Sequence, residues 1–148
     1  MNTVLMRGEL QMSKAKIFWM LFIILGLVSG SLLAQEKSAI EPQQISGNWE
    51  VVVEAEGMII YLTLKLEIVE NELTGKMSDQ AGSFADISVS DLKLENNTLT
   101  FNLTVPSPPD GLVHTWSWEL NIERDELEGI VFNPELAISV PVRGRKMS

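Results

Sequence analysis

Residues 112–122 constrain the fold more than any other part of the chain, because they alternate strictly between two faces. One face is mostly apolar and carries Leu112, His114, Trp116, Trp118, Leu120 and Ile122. The other face is mostly polar and carries Val113, Thr115, Ser117, Glu119 and Asn121. A period of two residues is typical of a β-strand that is buried on one side. The sequence therefore predicts a half-buried strand whose inner face holds two indoles and the only histidine of the chain.

The same alternation predicts seven more strands, and none of these segments shows a helical period. They are residues 47–55, 58–69, 72–78, 84–94, 98–105, 126–132 and 136–145. In residues 84–94 the apolar positions change from odd to even numbers around Ser90 and Asp91. A bulge or a turn at these two residues would account for the change of phase.

A repeated pattern connects three of the predicted hairpins. The pattern L-x-I-x-x-x-E-L-x-G occupies residues 66–75 and returns at residues 120–129, and a looser copy spans residues 92–101. The turn of each copy contains Asn or Asp, which tolerate the positive φ that two-residue hairpin turns require. Gly75 and Gly129 occupy matching inward positions, where a missing side chain permits strong coiling or close packing.

Sequential antiparallel strands with one apolar face each predict an all-β domain. We expect a single eight-stranded antiparallel up-and-down barrel, because closure removes the exposed edges of an open meander. A β-sandwich is the alternative. The tight turns and both ends of the domain are expected at a closed end of the barrel. The longer connections at residues 55–58, 78–83, 106–111 and 132–135 are expected at an open end.

The first and last strands of the predicted barrel carry a short family-like motif. Gly47-Asn48-Trp49 opens the first strand, and Arg143 and Arg145 close the last one. This arrangement resembles the lipocalin-like, calycin-type barrels, and the hairpin spacing resembles small secreted bacterial β-domains. The resemblance implies that Trp49 lies near the closed end and is covered by an arginine of the last strand. Arg143 and Arg145 are both out of phase with the apolar residues of that strand.

The first part of the chain has the layout of a secretory signal peptide. Lys14 and Lys16 precede an apolar run at residues 17–28, and a region of small residues ends at Ala34. We expect this N-terminal signal helix, residues 1–34, to be removed, which leaves a polar arm at residues 35–46 and the barrel at residues 47–146. The alternative is an uncleaved membrane anchor at residues 17–34, which just reaches spanning length. The protein is therefore expected to be exported, to the periplasm or the extracellular space.

Cysteine content and charge exclude several classes of protein. The chain has no cysteine, so it forms no disulfide and carries no lipid at a lipobox. Beyond residue 34, eight Lys and Arg residues oppose 19 Asp and Glu residues, for a net charge of −11. An acidic surface repels nucleic acid and anionic membranes, so neither is expected as a partner. Membrane attachment is expected only if the N-terminal segment is retained.

The open end of the predicted barrel contains the candidate binding residues. They would form the wall of an apolar pocket with one polar group, and are Met58, Ile60, Met77, Leu103, His114, Trp116 and Phe132. The alternative is that these side chains fill the barrel. An eight-stranded barrel is just wide enough to be packed by its own side chains or to hold one small ligand.

Candidate residues for catalysis and metal binding lack the required spacing. No nucleophile elbow or inward carboxylate pair accompanies His114. Asp79, Asp86 and Asp91 match no calcium loop, and one histidine without cysteine cannot make a zinc site. We therefore expect a protein that is not an enzyme and that holds no metal or other cofactor.

Two functions remain open. The first is binding of a small apolar or amphipathic ligand in the lumen of the barrel. The second is a structural or accessory role, in which a barrel filled by its own side chains engages an exported protein partner.

Overall fold

Nine β-strands and one short helix make up residues 39–107 and 110–148, the part of the chain that the computed structural model describes. The elements are α1 (Pro42–Ile45), β1 (Gly47–Ala55), β2 (Met58–Val69), β3 (Glu72–Asp79), β4 (Ile87–Ser88), β5 (Ser90–Glu95), β6 (Thr98–Pro106), β7 (Val113–Glu123), β8 (Glu126–Asn133) and β9 (Ile138–Lys146). The predicted signal peptide, residues 1–34, lies outside the described residues. In the described ranges, no helix is long and apolar enough to cross a membrane.

The strands form one antiparallel sheet in the order β4-β3-β2-β1-β9-β8-β7-β6-β5. Strands that are consecutive in the chain pair with each other, except β4 and β5, which are the two edges of the sheet, and β1 pairs with β9. The result is an up-and-down, nearly closed antiparallel barrel. The predictions of an all-β fold and of a meander are confirmed.

The barrel has nine strands and not the predicted eight, because residues 84–94 form two short strands. Ile87 and Ser88 pair with β3, whereas the residues from Ser90 onward pair with β6. The register of the β5–β6 pair shifts between Ser90 and Lys93, and Asp91 has a φ of 53°. The bulge predicted from the change of phase is thus confirmed. The chain itself passes from one edge of the sheet to the other just before this shift, at Val89 between β4 and β5.

The tight turns have the backbone conformations that two-residue hairpins need. Glu70, Asn96 and Arg124 begin the β2–β3, β5–β6 and β7–β8 turns with φ values of 52°, 56° and 58°. The β1–β2 connection was expected to be longer. It is also a two-residue turn, because Glu56 and Gly57 adopt φ values of 44° and 85° and reverse the chain at once.

The segment before β1 covers one end of the barrel. In residues 39–46, the described part of this segment, the regular element is α1, which begins with Pro42 at a first-turn position where proline is favoured. Ile45 at the end of α1 is fully buried and belongs to the core. Ile40 N donates to Asn96 O at 3.3 Å, which joins the segment to the β5–β6 turn. A four-residue helix therefore lies within the predicted polar arm and closes the end that holds the β2–β3, β5–β6 and β7–β8 turns.

Candidate functional site

The loop between β6 and β7 holds His114 in place at the open end. His114 is 9% exposed, and its Nε2 lies 2.9 Å from Asp110 Oδ1. An ionised carboxylate can only accept, so the ring N–H donates this bond. Asp110 Oδ1 also accepts from Leu112 N at 2.9 Å. The other ring nitrogen, Nδ1, lies 3.8 Å from Glu135 Oε2 and has no hydrogen-bond partner among the described residues.

Two further polar groups tie the open-end loops to β7. Trp116 is half-buried, and its indole N–H donates to Ser107 Oγ at 2.7 Å. Asn133 is fully buried, and its Oδ1 accepts from Glu135 N and Leu136 N at 2.8 and 2.9 Å. The Asn133 bonds satisfy backbone N–H groups of the β8–β9 turn. Together with the Trp116 bond, they fix both loops around the mouth of the barrel.

Below this layer the interior is occupied by aromatic and aliphatic side chains. The rings of Phe101 and Trp118 stack with centroids 5.5 Å apart and planes 11° apart. The two residues are directly opposite each other on β6 and β7. Both are almost fully buried, and the N–H of Trp118 has no partner within the described part of the chain. The stack therefore takes up interior volume directly beneath Trp116.

The predicted lining residues fall into three different environments. Met77 and Leu103 are fully buried in the core, and Ile60 is half-buried against it. Met58 is 50% exposed at the start of β2, on the rim of the barrel. Phe132 is 37% exposed and lies on the outer face, because its neighbours Val131 and Asn133 are the inward residues of β8. His114, Trp116 and Leu103 are thus brought together, whereas Phe132 does not line the interior.

At the closed end, Lys146 and not an arginine covers Trp49. Trp49 is fully buried, and its indole N–H donates to Ile45 O at 2.8 Å. Lys146 Nζ lies 5.9 Å from the centroid of the Trp49 ring and donates to Gln44 O at 2.7 Å. A cation over an indole face is attracted by the negative face of the ring.

The two arginines proposed from the family resemblance point outward. Arg143 forms an ion pair with Glu54, and Arg145 Nη2 lies 3.1 Å from Glu50 Oε1. Both side chains are mostly exposed, because β9 turns its even-numbered residues inward. The alternation of Val140, Val142 and Lys146 already contained the signal that would have identified the lysine.

The sequence reasoning missed a groove on the outer face of β5 to β8, with a volume of about 260 Å³. We call it the outer groove, and it is lined by Asp91, Lys93, Thr100, Phe101, Asn102, Ser117, Trp118, Glu119 and Phe132. Asn102 is its centre: Oδ1 accepts from Ser117 Oγ at 2.8 Å, and Nδ2 donates to Asp91 Oδ2 at 3.0 Å. The outer groove could have been predicted only from the outward position of Phe132 together with the register of β5, β6, β7 and β8.

The described residues bring together neither a metal site nor a catalytic set. No group of three or more His, Asp or Glu side chains within them has a geometry that could hold a metal ion. Their buried polar residues are Asn97, His114 and Asn133, so no carboxylate lies in this interior. The hydroxyl of Ser107, in the loop that precedes His114, is engaged with an indole, because its Oγ accepts the hydrogen bond from Trp116.

Asp110→Asn is expected to reduce the loss of stability on acidification below about pH 4. The Leu112 N–H, and next the His114 ring, hold the pKa of Asp110 below its usual value. Such a carboxylate stabilises the fold above its unfolded pKa, and the contribution is lost as the pH falls through the lower folded pKa. Asparagine keeps an oxygen for Leu112 N but does not titrate. Urea unfolding between about pH 2 and pH 6 measures the effect, and equal acid sensitivity of the two proteins would contradict it.

Comparisons with protein-family models, with curated proteins and with solved structures find no match.

Proposed function

We propose that this chain is an exported, non-catalytic, lipocalin-like barrel module whose interior is filled by its own side chains. It acts by engaging an exported protein partner with its outer surface and open-end loops. Export is supported by Lys14 and Lys16 before the apolar run at residues 17–28. The lipocalin-like relationship is supported by the buried Trp49 with a cation of the last strand over its ring.

The observation that carries the proposal is the Phe101–Trp118 stack. It occupies the middle of the interior, between the His114 layer at the open end and fully buried Leu120 and Ile122 below. Filling of this kind leaves the outside of the barrel as the surface for recognition. The absence of carboxylates from the described interior supports a role without acid–base chemistry.

The outer face of β1, β2, β8 and β9 has the composition of a protein interface. Ile59, Tyr61 and Ile130 are large apolar residues exposed there, around the Arg143–Glu54 ion pair. Tyrosine and arginine are enriched at the energetic centres of interfaces. The net charge of −11 beyond residue 34 favours a partner with a basic surface, which it attracts at long range. The same charge argues against nucleic acid and anionic membranes as partners.

A second candidate function, binding of a small amphipathic ligand inside the open end, is favoured by two buried polar atoms. Neither Trp118 Nε1 nor His114 Nδ1 has a hydrogen-bond partner in the described residues. A ligand carrying an acceptor could satisfy the indole N–H, since buried polar groups are normally paired.

Indole separates the two candidates when it is tested against the full chain and its Trp118→Ala variant. A filled interior has no room for indole, so the melting temperature of the wild type should not change. Trp118→Ala removes that ring, and indole should raise the melting temperature of the variant by binding only its folded state. Phe132→Ala is the matched control, because it removes an aromatic ring from the outer face and opens no interior space.

Circular dichroism melts with and without indole give the measurement. A rise for the wild type would overturn the filled interior and support the second candidate. If Trp118→Ala does not fold, Trp118→Leu leaves a smaller space in the same position. The tryptophan emission of the wild type during titration with fatty acids and other apolar compounds is an independent readout. It should remain constant if the barrel is filled.

A further inference from the structure

The outer groove presents seven outward-facing side chains in two parallel rows across four strands. Phe132 on β8 lies opposite Ser117 on β7, Ser117 lies opposite Asn102 on β6, and Asn102 is bonded to Asp91 of β5. The second row is set by the same register and contains Glu119, Thr100 and Lys93, and Ile130 continues it beyond the lining of the groove. Neighbouring strands are about 4.8 Å apart, so each row extends over roughly 14 Å.

The side chains of both rows change from apolar on β8 to polar and charged toward β5. The β8 side is apolar and offers the exposed ring of Phe132 with Ile130 beside it. The middle is polar and contains the hydroxyls of Thr100 and Ser117, the amide of Asn102 and the carboxylate of Glu119. The β5 side offers one acid and one base, Asp91 and Lys93. A groove with this order suits neither a fully apolar ligand nor a multiply charged one.

The polar groups of the groove retain free bonding capacity. Asn102 donates one of its two amide hydrogens to Asp91 and accepts a bond from Ser117 with one of its two carbonyl lone pairs. One amide hydrogen and one lone pair therefore remain for a ligand. Lys93 and Glu119 form no ion pair with any residue that the structure describes. The ammonium can donate three hydrogen bonds, and the carboxylate can accept several. The Glu119 carboxylate is therefore available one strand from Phe132, and the free groups of Asn102 and Lys93 are available two and three strands away.

We propose that the outer groove binds a neutral oligosaccharide. A pyranose ring has one face of C–H groups, which are attracted to the negative face of an aromatic ring such as Phe132. Its hydroxyls each donate and accept, which matches Asn102, Glu119 and Lys93. The rows are long enough for more than one sugar ring, so an oligomer makes more contacts than a monosaccharide. This site is centred on β5 to β8, meets the proposed protein-binding face only at Ile130, and does not depend on the state of the interior.

Titration of the full chain with maltohexaose, cellohexaose, laminarihexaose and chitohexaose tests the proposal. Isothermal titration calorimetry gives the affinity. Tryptophan emission is a second readout, because Trp118 lines the floor of the outer groove. We expect saturable binding of at least one of the four sugars. Phe132→Ala should weaken it at least about tenfold, a loss of the size expected for a well-packed aromatic contact.

Tyr61→Ala is the matched control for Phe132→Ala. Tyr61 is 48% exposed on the outer face of β2, outside the groove, so its removal should leave the affinity unchanged. Glu119→Ala should weaken binding, whereas Glu119→Gln, which keeps an acceptor oxygen, should weaken it less. Circular dichroism melts of each variant confirm that the barrel is folded. Failure of all four sugars to bind at about 10 mM, or equal losses for Phe132→Ala and Tyr61→Ala, would overturn the proposal.

Discussion

Trp49→Ala is expected to lower the free energy of unfolding by about 3–5 kcal/mol. Trp49 is fully buried, so the substitution leaves a large cavity at the closed end. Ile45 O also loses the indole donor 2.8 Å away, and a buried acceptor without a partner is costly. Lys146 loses the ring that its ammonium covers at 5.9 Å. The same change therefore loosens α1 and the end of β9 from the barrel.

Urea unfolding, followed by circular dichroism, measures this loss. Phe132→Ala is the control, because it deletes an aromatic side chain from the outer face and should cost less than about 1 kcal/mol. Trp49→Phe keeps much of the ring volume but not the N–H, so its loss should be intermediate. If Trp49→Ala does not fold, the loss of stability of Trp49→Phe tests the prediction instead. A stability of Trp49→Ala within about 1 kcal/mol of the wild type would show that Trp49 does not organise the closed end.

Most of the fold could be predicted because alternation of apolar and polar residues is a local property of the sequence. The predicted bounds of β1 and β2 agree with the structure, since Val53 and Leu64 lie in the middle of unbroken alternations. The phase change at Ser90 and Asp91 also located the bulge correctly. It did not show that the segment pairs with two different strands, because pairing partners are set by closure of the whole sheet and not by local period.

Residue type and strand phase favour different positions at two places in the candidate site. The aromatic ring of Phe132 is typical of an interior residue, but the alternation of Leu127 and Val131 places Phe132 outside. Arg143 and Arg145 were considered for the role over Trp49 because a family pattern has arginine there. The phase of β9 favours Lys146, and the structure places Lys146 at that position.

Contacts between loops could not be predicted at all from the pattern of the strands. The bond from His114 to Asp110 depends on how the chain between β6 and β7 folds back, and the bond from Trp116 to Ser107 depends on the same loop. The outer groove requires the register of β5, β6, β7 and β8 at once. A shift of one residue in any of these pairs would exchange its inner and outer faces and remove the groove.

The repeated pattern yields the second large prediction, because its two glycines are equivalent in sequence but not in structure. Gly75 lies opposite Leu66, and Gly129 lies opposite Leu120, so the Leu and the Gly of the pattern are cross-strand partners in both hairpins. A Cβ at Gly75 would lie 2.9 Å from Val89 Cγ2, a side-chain atom that can move. A Cβ at Gly129 would overlap the carbonyl oxygen of Glu119, which belongs to the backbone of β7.

Gly129→Ala should therefore lower the free energy of unfolding by about 3 kcal/mol, at the upper end of what overpacking costs. The backbone of β7 can yield only by separating from β8, which breaks ladder hydrogen bonds on both sides of Leu120. Gly75→Ala, the matched control in the same pattern, should cost about 1 kcal/mol, because rotation of Val89 makes room. Urea unfolding of both variants measures the difference. Equal losses would contradict a special role for the Glu119 carbonyl, since the effect of Gly→Ala on the unfolded chain is a gain of similar size at both positions. A larger loss for Gly129→Ala would show that close approach of β7 and β8 is the reason the pattern ends in glycine.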